Sequence, residues 1–297
     1  MGLRASNKKV SDGKPQIAGK DMSNIFFQLF VWVLFWQIPK SNGTIKPEPT
    51  SYAAYMSKAE NLVLQRDRLK ACAILTQAYK KLEKKSERLL ILEKLNFISE
   101  LFFTDLAQQN FEQARSMYHQ SSTLAFNKLE TAKRLEPFNF LIGQVFVSYM
   151  LTQTQYKKAS EEASRYLNVN PYNKFMARLY LLSLLKDANW EQLTKFLEEK
   201  SNIDMLAKHE LDFLKAFILL GQDSPIEEMP LVSHPELQMA LNWNWFKLRD
   251  GKKAKGIAEG LLKHCDKELL DPQMRVPFVQ FECVQKDQLL EYLGKNE

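Results

Sequence analysis

From Ser51 to about Gly221, apolar side chains return at spacings of three and four almost without interruption. That is the period of an α-helix with one dry face and one wet face. Leu69, Cys72, Ala73, Thr76, Tyr79 and Leu82 form one stripe, and Ile91, Leu95, Ile98, Phe102 and Leu106 form another. Phe111, Ala114, Tyr118, Ser121, Ala125, Leu129 and Ala132 form a third, read either as one long helix or as two with a turn near His119–Thr123. Short polar segments at Lys84-Lys85-Ser86 and Gln108-Gln109-Asn110 read as the breaks between helices. Each stripe needs a neighbour to cover it, and helices joined by short loops run antiparallel. Ten Gly and eleven Pro in 297 residues are too few for the turns of a β-sandwich or barrel of this length. The expected class is all-α, built from antiparallel helical hairpins.

A different kind of segment precedes these helices. Residues 24–38 are apolar and aromatic, and no charge occurs between Asp21 and Lys40. As a helix that window spans ~27 Å, close to the ~30 Å of a bilayer core. Half of the net charge of +6 sits before it, on Arg4, Lys8, Lys9, Lys14 and Lys20 against Asp12 and Asp21. Charge so placed is a topology signal that keeps the N-terminus inside and sends the rest of the chain across. Residues 21–38 therefore read as a transmembrane anchor or signal segment contacting the membrane through residues 24–38. Residues 51–297 are then on the extracytoplasmic (periplasmic) side. In the alternative, cleavage near Gly43 releases a secreted or periplasmic protein. Residues 1–20 read as a disordered basic N-terminus. Residues 39–50, with Pro39, Pro47, Pro49 and Gly43, read as a linker. The rest of the chain is nearly balanced in charge and shows no basic stripe, which argues against nucleic acid as a partner.

Within the helical region a unit recurs. Leu135-Glu136-Pro137-Phe138-Asn139 parallels Val169-Asn170-Pro171-Tyr172-Asn173, 34 residues on, and Tyr156 and Trp190 keep the same separation. Gln155-Tyr156-Lys157-Lys158-Ala159, followed by Ala163, Tyr166 and Pro171, resembles the second-helix pattern of the tetratricopeptide (TPR) repeat. Asn189-Trp190-Glu191-Gln192-Leu193 repeats the theme, and Ala125, Leu129, Ala132 and Pro137 fit the back half of an earlier unit. Val147 and Leu181 stand where the family usually places Gly, Ala or Ser. The in-register likeness covers residues 122–200, with looser versions at 68–82, at Phe111-Glu112-Gln113-Ala114 and at 245–262. It implies hairpins stacked as a right-handed solenoid over 51–297, less regular from 222. It also implies a concave face that contacts a protein or peptide through Gln144, Ser148, Arg178, Leu182 and Lys186. Arg178 and Lys186 would draw an acidic peptide. Gln144 and Ser148 do not supply the Lys/Asn carboxylate clamp of the chaperone-binding members.

Towards the C-terminus, Ile203–Leu220 reads as a helix ending at Gly221, and Ser224–Pro235 as a proline-rich loop. Pro235–Leu248 and Gly251–His264 read as a last hairpin. Residues 266–284 fit neither helix nor strand cleanly, and Gln288–Leu293 reads as a capping turn. The aromatics of Asn242-Trp243-Asn244-Trp245-Phe246 cannot all face one side of a helix and are expected to bridge two layers of core. Three cysteines, Cys72, Cys265 and Cys283, are no disulfide framework. Cys265 and Cys283 would be the pair to close in an oxidising compartment; the alternative is that each is a small buried apolar residue. The four histidines lie far apart in sequence, and no nucleophile elbow, P-loop or dinucleotide fingerprint occurs. His264-Cys265-Asp266 reads as a helix end rather than a metal site. The reading is a scaffold and not an enzyme, with no cofactor and no metal. The second reading is a binding module for a small molecule, lipid or glycan in an all-helical cleft.

Overall fold

The computed structural model describes residues 50–117, 120–199, 206–221, 229–247, 249–263 and 286–294. Among the described residues every regular element is an α-helix. In chain order they are α1 (Tyr52–Leu64), α2 (Arg68–Lys81), α3 (Lys85–Glu100), α4 (Asp105–Met117), α5 (Ser122–Leu135), α6 (Phe140–Thr152) and α7 (Tyr156–Val169). They continue with α8 (Lys174–Lys186), α9 (Trp190–Glu198), α10 (Lys208–Gly221), α11 (Pro235–Phe246), α12 (Gly251–Leu262) and α13 (Lys286–Tyr292). The segments expected at 1–20, 21–38 and most of 39–50 lie outside the described residues, as do 266–284, Cys265 and Cys283. No helix among the described residues is long and apolar enough to cross a membrane.

Helix starts are written in the local sequence. Side chains of Ser51, Asp67, Ser121, Asn139, Asn173, Asn189 and Asp250 each accept a backbone N–H in the first turn that follows, satisfying donors that a helix leaves open. Three of the turns share one geometry. Arg66, Thr154 and Ala188 adopt positive φ of 58°, 55° and 51°. In each, the amide of that residue and of the next bond back to the preceding helix: Arg66 to Val63 and Asp67 to Leu62, Thr154 to Leu151 and Gln155 to Met150, Ala188 to Leu185 and Asn189 to Leu184. This is the Schellman closure, and its last residue already serves as the N-cap of the returning helix. The chain thus reverses in three residues and the paired helices run antiparallel.

The 34-residue period is carried by whole helices. α6 and α8 begin at Phe140 and Lys174, α7 and α9 at Tyr156 and Trp190, and the turn residues Thr154 and Ala188 keep the same offset. α6 packs on α7, α7 on α8, and α6 on α8. Both α6 and α8 are apolar on nearly every side, and a helix apolar all round has to be surrounded. α6 turns Ile142, Val145 and Phe146 to a core shared with α4 and α5, and Phe140, Val147 and Leu151 to the larger core that runs on to α13. α8 lines that larger core with Leu179, Leu181, Leu182, Leu184 and Leu185, while Ala177 joins a third core built by α1, α2 and α3. Val147 and Leu181, in the positions usual for a small residue, are both fully buried. The close approach is made instead at Gly143, where a Cβ would stand 2.4 Å from the ring of Tyr166.

Of the two readings of the third stripe, the structure has two helices, with the break between Met117 and Ser122. One sequence expectation needs correction. The break expected at Gln108-Gln109-Asn110 lies inside α4, where the buried Asn110 side chain donates to Leu106 O at 2.7 Å. The real break is at 101–104, so Phe102 leaves the second stripe and Leu106 is exposed. Its cause is tertiary: α3 packs on α6 as well as on α2, with the α4–α5 hairpin intervening in sequence. The last hairpin forms as α11 and α12 pack together, with Pro235 in the first turn of α11, and α13 covers α12 with Leu289 and Leu293 buried. Trp243 and Trp245 are buried and Phe246 is half-buried against the large core.

Candidate functional site

The five residues placed on one face by the TPR resemblance come from two packed helices, Gln144 and Ser148 from α6 and Arg178, Leu182 and Lys186 from α8. Their spacing of four puts each set on a single helical face. Burial separates them. Gln144, Ser148 and Leu182 are 4%, 1% and 0% exposed; Arg178 and Lys186 are half-buried.

Arg178 is paired within the fold. Arg178 Nε donates to Glu210 Oε1 at 2.6 Å, and its terminal nitrogen to Glu210 Oε2 at 2.8 Å. This planar two-point pair joins α8 to the first turn of α10. Glu210 Oε2 also accepts from Ala207 N at 2.8 Å, closing the start of α10. Burial acts to raise the pKa of Glu210, but the hydrogen bonds from Arg178 and Ala207 outweigh it, and the carboxyl titrates below its ordinary range. A carboxylate from a partner would therefore compete with one already in place. Burial raises the pKa of Glu100 above the ordinary value, and the side-chain amides of Asn173 and Gln144 act against it without overcoming it.

Glu100 belongs to a polar junction at the C-terminal end of α3. Asn139 Nδ2 donates to the carbonyls of Glu100 and Leu101, each at 3.2 Å. Asn170 Nδ2 donates to Asn96 Oδ1 at 2.9 Å and Ser99 Oγ at 3.4 Å. Arg68 donates to the carbonyls of Ile98 and Leu101 and pairs with Glu136 at 2.6 Å. Glu136 Oε1 in turn accepts from Phe103 N and Thr104 N, both at 2.7 Å, and from Thr104 Oγ1 at 3.1 Å. The two copies of the Glu/Asn-Pro-aromatic-Asn motif thus converge on one helix end, and their polar residues satisfy the carbonyls and loop amides that a helix terminus leaves open.

Arg68, Glu100, Glu136 and Glu210 were not singled out by sequence reasoning. The repeated motif pointed towards Glu136, but nothing local pointed to Arg68. Other groups come together without forming a reactive set. The rings of His209 and His234 stack at 5.1 Å although 25 positions separate them in the chain. Cys72 is buried, and its thiol is pushed up to about 12 by desolvation despite the nearby charge of Arg68. Among the described residues no three His, Cys, Asp or Glu side chains gather as a metal site. His264-Cys265-Asp266 lies outside the described residues. Compared with known proteins, the chain matches no family model, no curated protein and no solved structure.

Proposed function

We propose that the chain is a TPR-like helical-repeat scaffold that binds a protein or peptide, and that residues 24–38 anchor it in a membrane or direct its export. The observation that carries this reading is the in-register pair of 34-residue hairpins, α6–α7 and α8–α9, with their matched turns and matched N-cap asparagines. Stacked hairpins of this kind present long, rigid helix faces, which suit them to holding an extended partner. The α6–α8 face is the first candidate surface. Leu182, Gln144 and Ser148 support it from beneath, and the exposed Lys174 edges it at the start of α8.

The test is cross-linked co-purification of the full chain from native membranes. Arg178 is a poor position for charge reversal, because a second carboxylate beside Glu210 would disturb the fold. Lys186 Nζ is itself buried, so the comparison is the intact protein against Lys174→Glu, whose side chain is exposed, with circular dichroism to check folding. A stoichiometric protein partner lost in the variant is the expected outcome. A partner indifferent to the reversal, or none, would remove the α6–α8 face. The topology has its own assay: protease added to intact spheroplasts is expected to digest residues 51–297, and protection alongside a cytoplasmic control would refute export.

A further inference from the structure

On the opposite side of α8 a groove runs between α7 and α9. Two compartments, of 480 Å³ and 290 Å³, share Ser164, Tyr180 and Gln192 as their common wall. These volumes are near the range of small-molecule sites. Tyr180 lies two residues from both Arg178 and Leu182, about 200° around the helix from each, so this surface is separate from the α6–α8 face.

The larger compartment is part apolar and part amide. Leu167, Pro171 and the Tyr180 ring line it, the ring packed against Phe196 at 5.6 Å. Asn168 and Gln192 add neutral groups that both donate and accept. The smaller compartment adds hydroxyls and the exposed carboxylates of Glu161 and Asp187. Lysines stand among the acids, Lys157 in one compartment and Lys195 in the other, so the mixed charge selects neither an anion nor a cation. The density of polar groups is wrong for an acyl chain.

We propose that this groove binds a neutral oligosaccharide of two or three rings. A sugar ring lies its C–H face on Tyr180, where the electron-rich face of the aromatic attracts it. Its hydroxyls donate to the Asn168 carbonyl oxygen, to the Asp187 carboxylate and to the second lone pair of Gln192 Oε1, which already accepts from Tyr180 Oη at 3.4 Å, and accept from the amide N–H groups. Donors and acceptors are mixed along the walls, which suits a ligand whose several hydroxyls per ring each donate and accept over a peptide with one N–H and one C=O per residue.

The experiment is saturation-transfer NMR on the full-length protein with cellotriose, maltotriose and triacetylchitotriose, followed by titration. Expected is transfer to the ring C–H protons of at least one trisaccharide, with a Kd on the order of 1 mM. Gln192 is exposed, so Gln192→Ala leaves the melting temperature in place and weakens binding by about fivefold, the loss of one hydrogen bond. Tyr180→Phe keeps the platform and the binding, whereas Tyr180→Ala abolishes it. Absence of transfer from all three sugars would overturn the proposal. So would binding that Gln192→Ala and Tyr180→Ala leave unchanged, or a neutral extended peptide that binds the groove where the sugars do not. Capture of a protein partner through the α6–α8 face is unaffected by Gln192→Ala, so the two readings fail separately.

Discussion

Replacing Glu136 by Ala strands a guanidinium and two loop amides at once. The side chains of Arg68 and Glu136 are 6% and 3% exposed, so water does not replace the ion pair. Breaking a buried ion pair from one side costs about 3–5 kcal/mol, because the remaining charge stays desolvated. Arg68 keeps its bonds to the carbonyls of Ile98 and Leu101, which places the loss from the pair near the lower end of that range. Phe103 N and Thr104 N lose their acceptor as well. Both amides are only part-buried, and water recovers much of that loss. The expected total is about 4 kcal/mol, a large share of the 5–15 kcal/mol that holds an ordinary domain together. Urea titration followed by circular dichroism measures it, with the exposed Glu130→Ala as a control expected to stay within about 0.5 kcal/mol. The double variant Arg68→Met/Glu136→Met should recover most of the pair's share but remain below the parent, since the loop amides stay unpaired. A loss under about 1 kcal/mol in Glu136→Ala, or single effects that simply add, would refute a coupled buried junction.

Further outcomes follow from individual side chains. Because burial holds the pKa of Glu100 above its unfolded value, the folded chain retains that proton to higher pH. Stability therefore falls as pH rises from about 4.3 through the folded pKa. Glu100→Gln should raise the melting temperature at pH 7 and give no gain at acid pH, as read by calorimetry across the range. Gly143→Ala drives a methyl into the buried Tyr166 ring, which Phe138 and Phe140 back; about 1–3 kcal/mol of destabilisation is expected in denaturant titration. Thr154 is exposed at φ 55°, so Thr154→Gly relieves a left-handed β-branched residue and should stabilise by about 1 kcal/mol, more than Ala188→Gly in the equivalent turn.

Helical class and the 34-residue unit follow from the sequence alone, and the N-caps that the structure shows are set locally as well. These depend on interactions within a few residues: apolar spacing on one helix, and an Asn or Ser oxygen meeting an amide two or three positions on. The turn between Met117 and Ser122 was one of two readings, and Ser121 as N-cap of α5 is what separates the helices. The end of α3 was misplaced because its position depends on contacts made far along the chain, by Arg68 from α2, Asn139 and Glu136 from the α5–α6 turn, and Asn170 from the α7–α8 turn. The candidate face shows the same limit. A helical wheel puts Arg178, Leu182 and Lys186 in line, but only the fold decides that Glu210 lies opposite Arg178 and that Leu182 is covered. Periodicity states which face of a helix is dry; which neighbour covers it, and which charge meets which, are set by packing between residues that local sequence does not connect.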